Sequence, residues 1–156
     1  MKSYLRNSVF SIIIIQSVEL KMITYQKEDR ITEKEFIEVL KNSTLGERRP
    51  VDDIPRIKGM IDNANLFVTA RDDGRLVGVA RSVTDFVYCT YLSDLAVDTH
   101  YQKQGIGKEL IRITKKHTPQ AKLILLSAPA AINYYPHIGM NRHEYCYYLD
   151  DINEIQ

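Results

Sequence analysis

Apolar residues recur along this chain at two spacings, one helical and one alternating. Phe36, Ile37, Val39 and Leu40 follow a helix start signal, Thr32 with Glu35 three residues on, which makes a capping box. Gly46 stops that helix, and Glu47-Arg48-Arg49-Pro50 reads as a polar loop. Pro50 and Asp52-Asp53 suit the start of a second helix with Ile54, Ile57, Met60 and Ile61 on one side, ended by Asn63 to Asn65. The pattern then changes period. Leu66 to Ala70, Leu76 to Val83 and Val87 to Val97 read as strands, the first two joined by the hairpin signal Asp72-Asp73-Gly74 and the last preceded by a turn at Asp85 and Phe86. Gly105 to His117 reads as a helix with Ile106, Leu110 and Ile113 inward. Leu123 to Leu126 is a continuous apolar run expected to form a central buried strand. Pro129 to Pro136 reads as a short helix and Glu144 to Leu149 as a final strand.

With a short strand at Met22 to Gln26, the order is β-α-α-β-β-β-α-β-α-β. That is an α+β (mixed α/β) protein, with a central twisted mixed sheet flanked by helices. The strands on either side of the Gly105–His117 helix should lie side by side in parallel, as a β-α-β connection requires.

At 156 residues the chain has the size of one domain with a proper core. Residues 22–156 are read as that domain. Met1 to Lys21 is set apart: Lys2 and Arg6 precede Val9-Phe10-Ser11-Ile12-Ile13-Ile14-Ile15, which imitates a signal sequence. The run is short, Gln16 and Glu19 bring polar groups directly after it, and no small-x-small cleavage site appears. It is also too short to span a bilayer. The expectation is an N-terminal extension that need not belong to the native domain.

Charge adds little in bulk and something locally. Lysine and arginine number 21 against 20 acidic residues, so nothing draws the chain to nucleic acid or to a membrane surface. Positive charge is dense at Lys103, Lys108, Arg112, Lys115 and Lys116. Lys115 and Lys116 read as a solvated helix face, whereas Lys103, Lys108 and Arg112 stand near a turn of unusual composition. Cys89 and Cys146 form no C-x-x-C pair and are expected to be buried free thiols in a reducing cytoplasm. The four histidines show no metal-ligand spacing, so no metal is expected.

The turn is His100 to Leu110, H-Y-Q-K-Q-G-I-G-K-E-L, which comes after the strand Tyr91 to Val97 and opens a helix. Such a turn lines up backbone N–H groups at a helix N-terminus, a ready anion site, and Gly105 and Gly107 leave room for a phosphate at the main chain. A G-x-x-x-x-G-K-[ST] loop does not match: the first glycine is missing and no Ser or Thr stands after Gly107-Lys108. A dinucleotide fingerprint would need a third glycine.

The spacing Gln102-x-x-Gly105-x-Gly107 resembles motif A of the GNAT superfamily of acetyl-coenzyme A-dependent N-acetyltransferases. Ala130 to Met140, A-A-I-N-Y-Y-P-H-I-G-M, resembles motif B of the same family, an aromatic-Tyr pair followed after three residues by Gly and a large apolar residue. It departs at Pro136, His137 and Met140, but the tyrosine is present. The resemblance covers Met22 to Leu149 and the element order agrees with a GNAT-like fold.

The resemblance implies acetyl-coenzyme A as cosubstrate, held by Gln102, Lys103, Gln104, Gly105, Ile106, Gly107 and Lys108 at the phosphates. Leu95, Ala96, Val97 and Asn133 would meet the pantetheine arm. It implies Tyr135 as proton donor to the leaving thiolate, with Tyr134 as packing and His137 as a surface residue. A tyrosine, with pKa near ~10, is protonated at neutral pH. The base is less plain. Some members place a glutamate where Tyr91 stands here. Ser93-Asp94-Leu95-Ala96-Val97-Asp98 resembles the Glu-Asp-x-x-Val-Asp run of glucosamine-phosphate acetyltransferases, which makes Asp94 a catalytic candidate beside a structural role. Acceptor contacts would fall to Arg48, Arg49, Tyr88 and Tyr91. The reading is a cytoplasmic enzyme acting by direct attack of a small-molecule primary amine, with a homodimer left open and no nucleic-acid or membrane partner. The alternatives are a protein or peptide N-acetyltransferase, or a non-catalytic acetyl-coenzyme A-binding module.

Overall fold

The computed structural model describes residues 22–156; the extension at 1–21 lies outside the described residues. Five strands form one sheet in sequence order: β1 (Ile23–Glu28), β2 (Leu66–Asp72), β3 (Arg75–Thr84), β4 (Cys89–Val97) and β5 (Lys122–Ile124). The first four pair antiparallel, and β4 and β5 pair parallel. Helix α1 (Glu33–Asn42) starts at the expected capping box, with the Thr32 hydroxyl accepting from the Glu35 N–H and the Glu35 carboxylate accepting from the Thr32 N–H. Helix α2 (Ile54–Asp62) is capped by the Asp53 carboxylate. Between them the chain makes a 3-10 turn, Thr44–Arg48. The β2–β3 hairpin turns on Asp73 (φ +46°) and Gly74 (φ +80°), as the Asp-Asp-Gly signal requires.

Helices α1 and α2 cover one face of the sheet, with Phe36, Leu40, Ile57 and Ile61 packed against Phe67, Val79 and Ala96. Helix α3 (Ile106–His117) covers the other, with Ile106, Leu110 and Ile111 on Leu66, Val68, Ala80 and Leu92. Each such fully buried side chain contributes about 1.5–3 kcal/mol, so the two layers hold the sheet between them. The last turn of α3 is closed by Lys115, whose ammonium donates to the carbonyls of Thr118, Pro119 and Ala121, rather than by a solvated face.

Three expectations need correction. The apolar run Leu123 to Leu126 is not a central strand: β5 is short, stands at the sheet edge, and leaves Ile124 and Leu126 about half exposed. Glu144 to Leu149 forms no strand; its tyrosines Tyr145, Tyr147 and Tyr148 are solvent-exposed, because aromatic composition favours pairing but supplies no partner. Cys89 and Cys146 are free as expected but exposed, Cys89 at the start of β4 and Cys146 in the coil after α4 (Tyr134–His137).

Candidate active site

Strand β4 is paired on both sides only in its first half. Its ladder with β5 consists of Cys89–Lys122, Thr90–Leu123 and Tyr91–Ile124, while β4 runs on to Val97 against β3 alone. From Leu92 onward the two parallel strands part and a gap opens. The pairing with β3 also slips, from Arg81–Asp94 to Ser82–Leu92, so Ser93 is an extra, bulged residue. Beyond the bulge the ladder is regular. The Asp98 N–H donates to the Val77 carbonyl at 2.9 Å, so by antiparallel alternation Ala96 also bonds toward β3. Leu95 and Val97 turn their N–H and C=O groups into the gap. The Val97 carbonyl bears this out, for it accepts from the Gln102 amide at 2.9 Å. Of the three strand residues expected at a pantetheine arm, Leu95 and Val97 line the gap, whereas Ala96 is buried under α1 and α2.

The glycine-rich turn lies at the end of that gap. Lys103 has φ +61° and Gly105 has φ +83°, both left-handed. Gly105 is the N-cap of α3 and offers no side chain, so no side-chain oxygen covers the N–H groups of Ile106, Gly107 and Lys108. The first intrahelical bond closes only at the Glu109 N–H, to the Gly105 carbonyl at 3.0 Å. Three aligned donors at the positive end of a twelve-residue helix make a site for phosphate oxygens. The Gln104 amide closes the turn onto the His100 carbonyl, and the Ile106 side chain is core. Lys103 and Lys108 are exposed at the turn. Arg112 is committed to Glu109 by two bonds of 2.7 and 2.6 Å.

Helix α4 brings Tyr134 against this turn. A Cβ at Gly107 would stand 3.0 Å from the Tyr134 hydroxyl and 3.9 Å from a Leu95 methyl. Gly107 is therefore small because Tyr134 lies over it, between the turn and the gap. Sequence reasoning assigned Tyr134 to packing; the missed signal is that a side-chain-free position at a helix start can accommodate a ring as well as a phosphate. Tyr135 meets Tyr134 edge-on, ring centroids 5.3 Å apart. Burial pushes both phenols above their usual value, and Tyr134 adds to the rise at Tyr135. Both are protonated at neutral pH. Asn133 precedes them, exposed.

Asp94 stands on the other face of β4, fully buried. One carboxylate oxygen accepts from Arg49 Nε and the other from Arg81 Nε. The same guanidinium groups reach further. Arg49 donates to the Ser93 and Arg48 carbonyls at 2.8 and 2.9 Å, and Arg81 to the Ser93 hydroxyl and the Met60 carbonyl at 2.8 and 3.0 Å. A carboxylate so enclosed holds structure, and Arg49 is spent on it. Arg48 is exposed in the loop. Tyr91 stands at the last β4–β5 pair, where the gap begins. Tyr88 is 82% exposed in the turn before β4. Seven residues of extended chain, roughly 23 Å, separate it from Leu95, so it is not gathered with the rest.

Residues 31–140 match the acetyltransferase (GNAT) family. An uncharacterized N-acetyltransferase, ycf52, of Gracilaria tenuistipitata var. liui is 30% identical over 110 residues; the match covers 66% of this chain and spans only 59% of that relative's length. Among solved structures, a GNAT-family acetyltransferase from Streptococcus pneumoniae TIGR4 superposes with TM-score 0.71 at 21% identity, covering 85% of this chain and 99% of the other. An aminoglycoside N-acetyltransferase, AAC(6')-Iy, in complex with CoA superposes with TM-score 0.66 at 13% identity, covering 85% and 96%. These structural likenesses establish a shared fold. Among the described residues, no helix is long and apolar enough to cross a membrane, and no cluster of His, Cys, Asp and Glu could hold a metal ion.

Proposed function

Because this chain belongs to the GNAT acetyltransferase family, we propose that it is an N-acetyltransferase that moves the acetyl group of acetyl-coenzyme A to a primary amine of a small molecule by direct attack. The observation that carries the reading is the opening of β4 from β5 beside an uncovered helix start, with Tyr134 lying at that start and Tyr135 packed edge-on against it. When bound, the cosubstrate supplies a thioester whose thiolate leaves. The N–H groups of Ile106, Gly107 and Lys108 would take its phosphates, with Lys103 and Lys108 adding charge. Leu95 and Val97 would pair with its extended arm as a strand pairs. A backbone N–H in this stretch would polarise the carbonyl at the moment charge develops on it.

Tyr135 would protonate the departing thiolate. The thiol pKa of about 8.5 makes that help useful without being indispensable. Asp94 is withdrawn as general base in favour of a structural part, since both its oxygens already accept from guanidinium groups. The acceptor amine is then taken neutral. At pH 7.4 an alkylamine of pKa near ~10.4 is about a thousandfold underpopulated in that form, a cost of roughly 4 kcal/mol. Of the expected acceptor contacts, Tyr91 stands at the mouth of the gap and Arg48 is left exposed on the loop. The aminoglycoside enzyme shares only the fold with this chain, so it chooses a first probe and not an answer.

Calorimetry with acetyl-coenzyme A should show binding, and a panel of primary amines that includes an aminoglycoside should release free thiol with one of them. Binding with no release for any small amine, but release with amino-terminal peptides, would turn the reading toward a peptide acetyltransferase.

A further inference from the structure

Two guanidinium groups and one carboxylate tie the inter-helix loop to the bulge on β4, and the chemistry above uses none of them. Arg49 lies at the end of the loop, directly after the Thr44–Arg48 turn, and its three nitrogens are divided between two segments. Nη1 holds the loop's own backbone at Arg48, whereas Nε and Nη2 hold β4 at Asp94 and Ser93. Arg81 holds the other side of Asp94, the Ser93 hydroxyl and the end of α2 at Met60. Its guanidinium also stands 5.9 Å from the centroid of the Phe36 ring of α1. Both guanidinium groups converge on Ser93 and Asp94, directly before Leu95. Arg49 keeps 22% of its side chain exposed, Arg81 keeps 7% and Asp94 none, so the anchor is inside the protein and one cable to it comes from the surface loop. A planar guanidinium spreads its donors over three nitrogens in a fixed fork, whereas an ammonium carries all of its donors on one nitrogen.

We propose that Asp94 is a positioning residue that joins the 44–51 loop to the open half of β4, so that a ligand lying along Leu95 to Val97 also orders the loop. The inference rests on the reading that acetyl-coenzyme A occupies the gap. A ligand paired with Leu95 and Val97 restrains the strand after the bulge, as β5 already restrains it before the bulge. The Ser93 carbonyl and the Asp94 carboxylate then become a firmer seat for Arg49, and the loop gives up freedom that it no longer needs to lose when an acceptor arrives. The coenzyme would in this way prepare the acceptor side without touching it.

Hydrogen exchange on the full chain, with and without acetyl-coenzyme A, tests this without knowledge of the acceptor. In the unsubstituted protein, amides in 44–51 should exchange about fivefold or more slowly when the coenzyme is bound. In Arg49→Gln the coenzyme should still bind by calorimetry, but this slowing should vanish. Arg49→Lys, which keeps charge and loses the fork, should recover only part of it. A merely structural Arg49 would raise exchange in the loop equally with and without coenzyme. Calorimetric binding with no response of the loop in the unsubstituted protein would overturn the inference alone, as would full slowing retained in both Arg49 variants. Absence of any calorimetric binding would overturn the acetyl-coenzyme A reading, and this inference with it.

Discussion

The two halves of β4 are built differently although they belong to one continuous strand. At Thr90 and Tyr91 the main chain is paired on both sides, and the preceding turn is closed by the Asp85 carboxylate, which accepts from the N–H groups of Val87, Tyr88 and Cys89. In Leu92 to Val97 one side is bare of strand partners, and the segment relies on charged side chains: Asp94 between two arginines directly before Leu95, and Asp98 bonded to Arg75 and His100 directly after Val97. A half-strand without a neighbour exposes hydrogen-bonding groups and is open to fraying. The comparison teaches that backbone without a strand partner is stiffened by buried ions instead of by a ladder.

If that is correct, removing the ion should hurt more than removing the turn. Asp94→Ala leaves two guanidinium groups facing each other in a buried site, which typically costs about 3–5 kcal/mol. Asp85→Ala acts in the turn before the doubly paired half, at an exposed carboxylate, and should lower the melting temperature much less. Thermal melts of the two variants at pH 7 decide the matter; equal losses would mean that the open half is held by something other than Asp94.

Chemistry in the open half should divide between neighbouring tyrosines. Tyr135→Phe keeps the ring against Tyr134 and removes the donor, so kcat should fall by roughly 10²-fold with coenzyme affinity nearly unchanged. Tyr134→Phe should instead weaken coenzyme binding, since its hydroxyl lies at the turn. Single-turnover thiol release with a confirmed amine, alongside calorimetry, separates the two. A loss of the chemical step in Tyr134→Phe and none in Tyr135→Phe would exchange the assignments.

The seat of Tyr134 can be tested by a cycle. Within α3, alanine in place of glycine should stabilise by up to about 1 kcal/mol. Gly107→Ala would place its Cβ 3.0 Å from the Tyr134 hydroxyl, whereas the ring carbon bearing that hydroxyl stands at 3.8 Å, ordinary contact. Gly107→Ala should therefore gain nothing alone and stabilise in the Tyr134→Phe background, a coupling of on the order of 1 kcal/mol. Additive melting temperatures would show that the hydroxyl does not rest there.

Legibility in the sequence divides along the same line. Local devices were legible: the Thr32–Glu35 box, the Asp73-Gly74 turn and the Gln102-x-x-Gly105-x-Gly107 turn each depend on residues a few positions apart. Patterning carried the order of the elements up to the last strand, and the family likeness singled out the tyrosine pair. The parting of β4 from β5 depends on how far Lys122 to Ile124 extends, which an apolar run does not tell, and Leu125 and Leu126 continue that run without pairing. The fate of Asp94 depends on Arg81 and Arg49, 13 and 45 residues away, and no local pattern joins them. The resemblance implies Arg49 as an acceptor contact, yet its carboxylate partner Asp94 lies across the fold. The Glu144–Leu149 segment failed for the opposite reason: its local pattern is strand-like and no neighbour completes it.

Acid should expose the weaker end of β4. Burial would raise the Asp98 carboxyl, but the His100 N–H, the His100 ring and the charge of Arg75 outweigh it, so its folded pKa lies below the ordinary 3.8. A carboxylate held more acidic in the folded state contributes stability that is fully present above 3.8 and is lost as pH falls through its folded value. Asp85 is also lowered, by the Tyr88, Cys89 and Val87 N–H groups, so both ends of β4 loosen in the same direction. They differ in what remains: the Asp85 end keeps its β5 ladder, and the Asp98 end has β3 alone. Hydrogen exchange between pH 5 and pH 3 should therefore accelerate, beyond the intrinsic pH effect, at 95–98 before 89–91. The partners of Asp98 are largely exposed, Arg75 by 50% and His100 by 88%, so the energy involved should be less than about 1 kcal/mol. Asp98→Asn keeps an oxygen for the His100 N–H and removes the titration, which should abolish the difference between the two ends. If both ends loosened together in the unsubstituted protein and in Asp98→Asn alike, the open half of β4 would be no weaker in acid than the paired half.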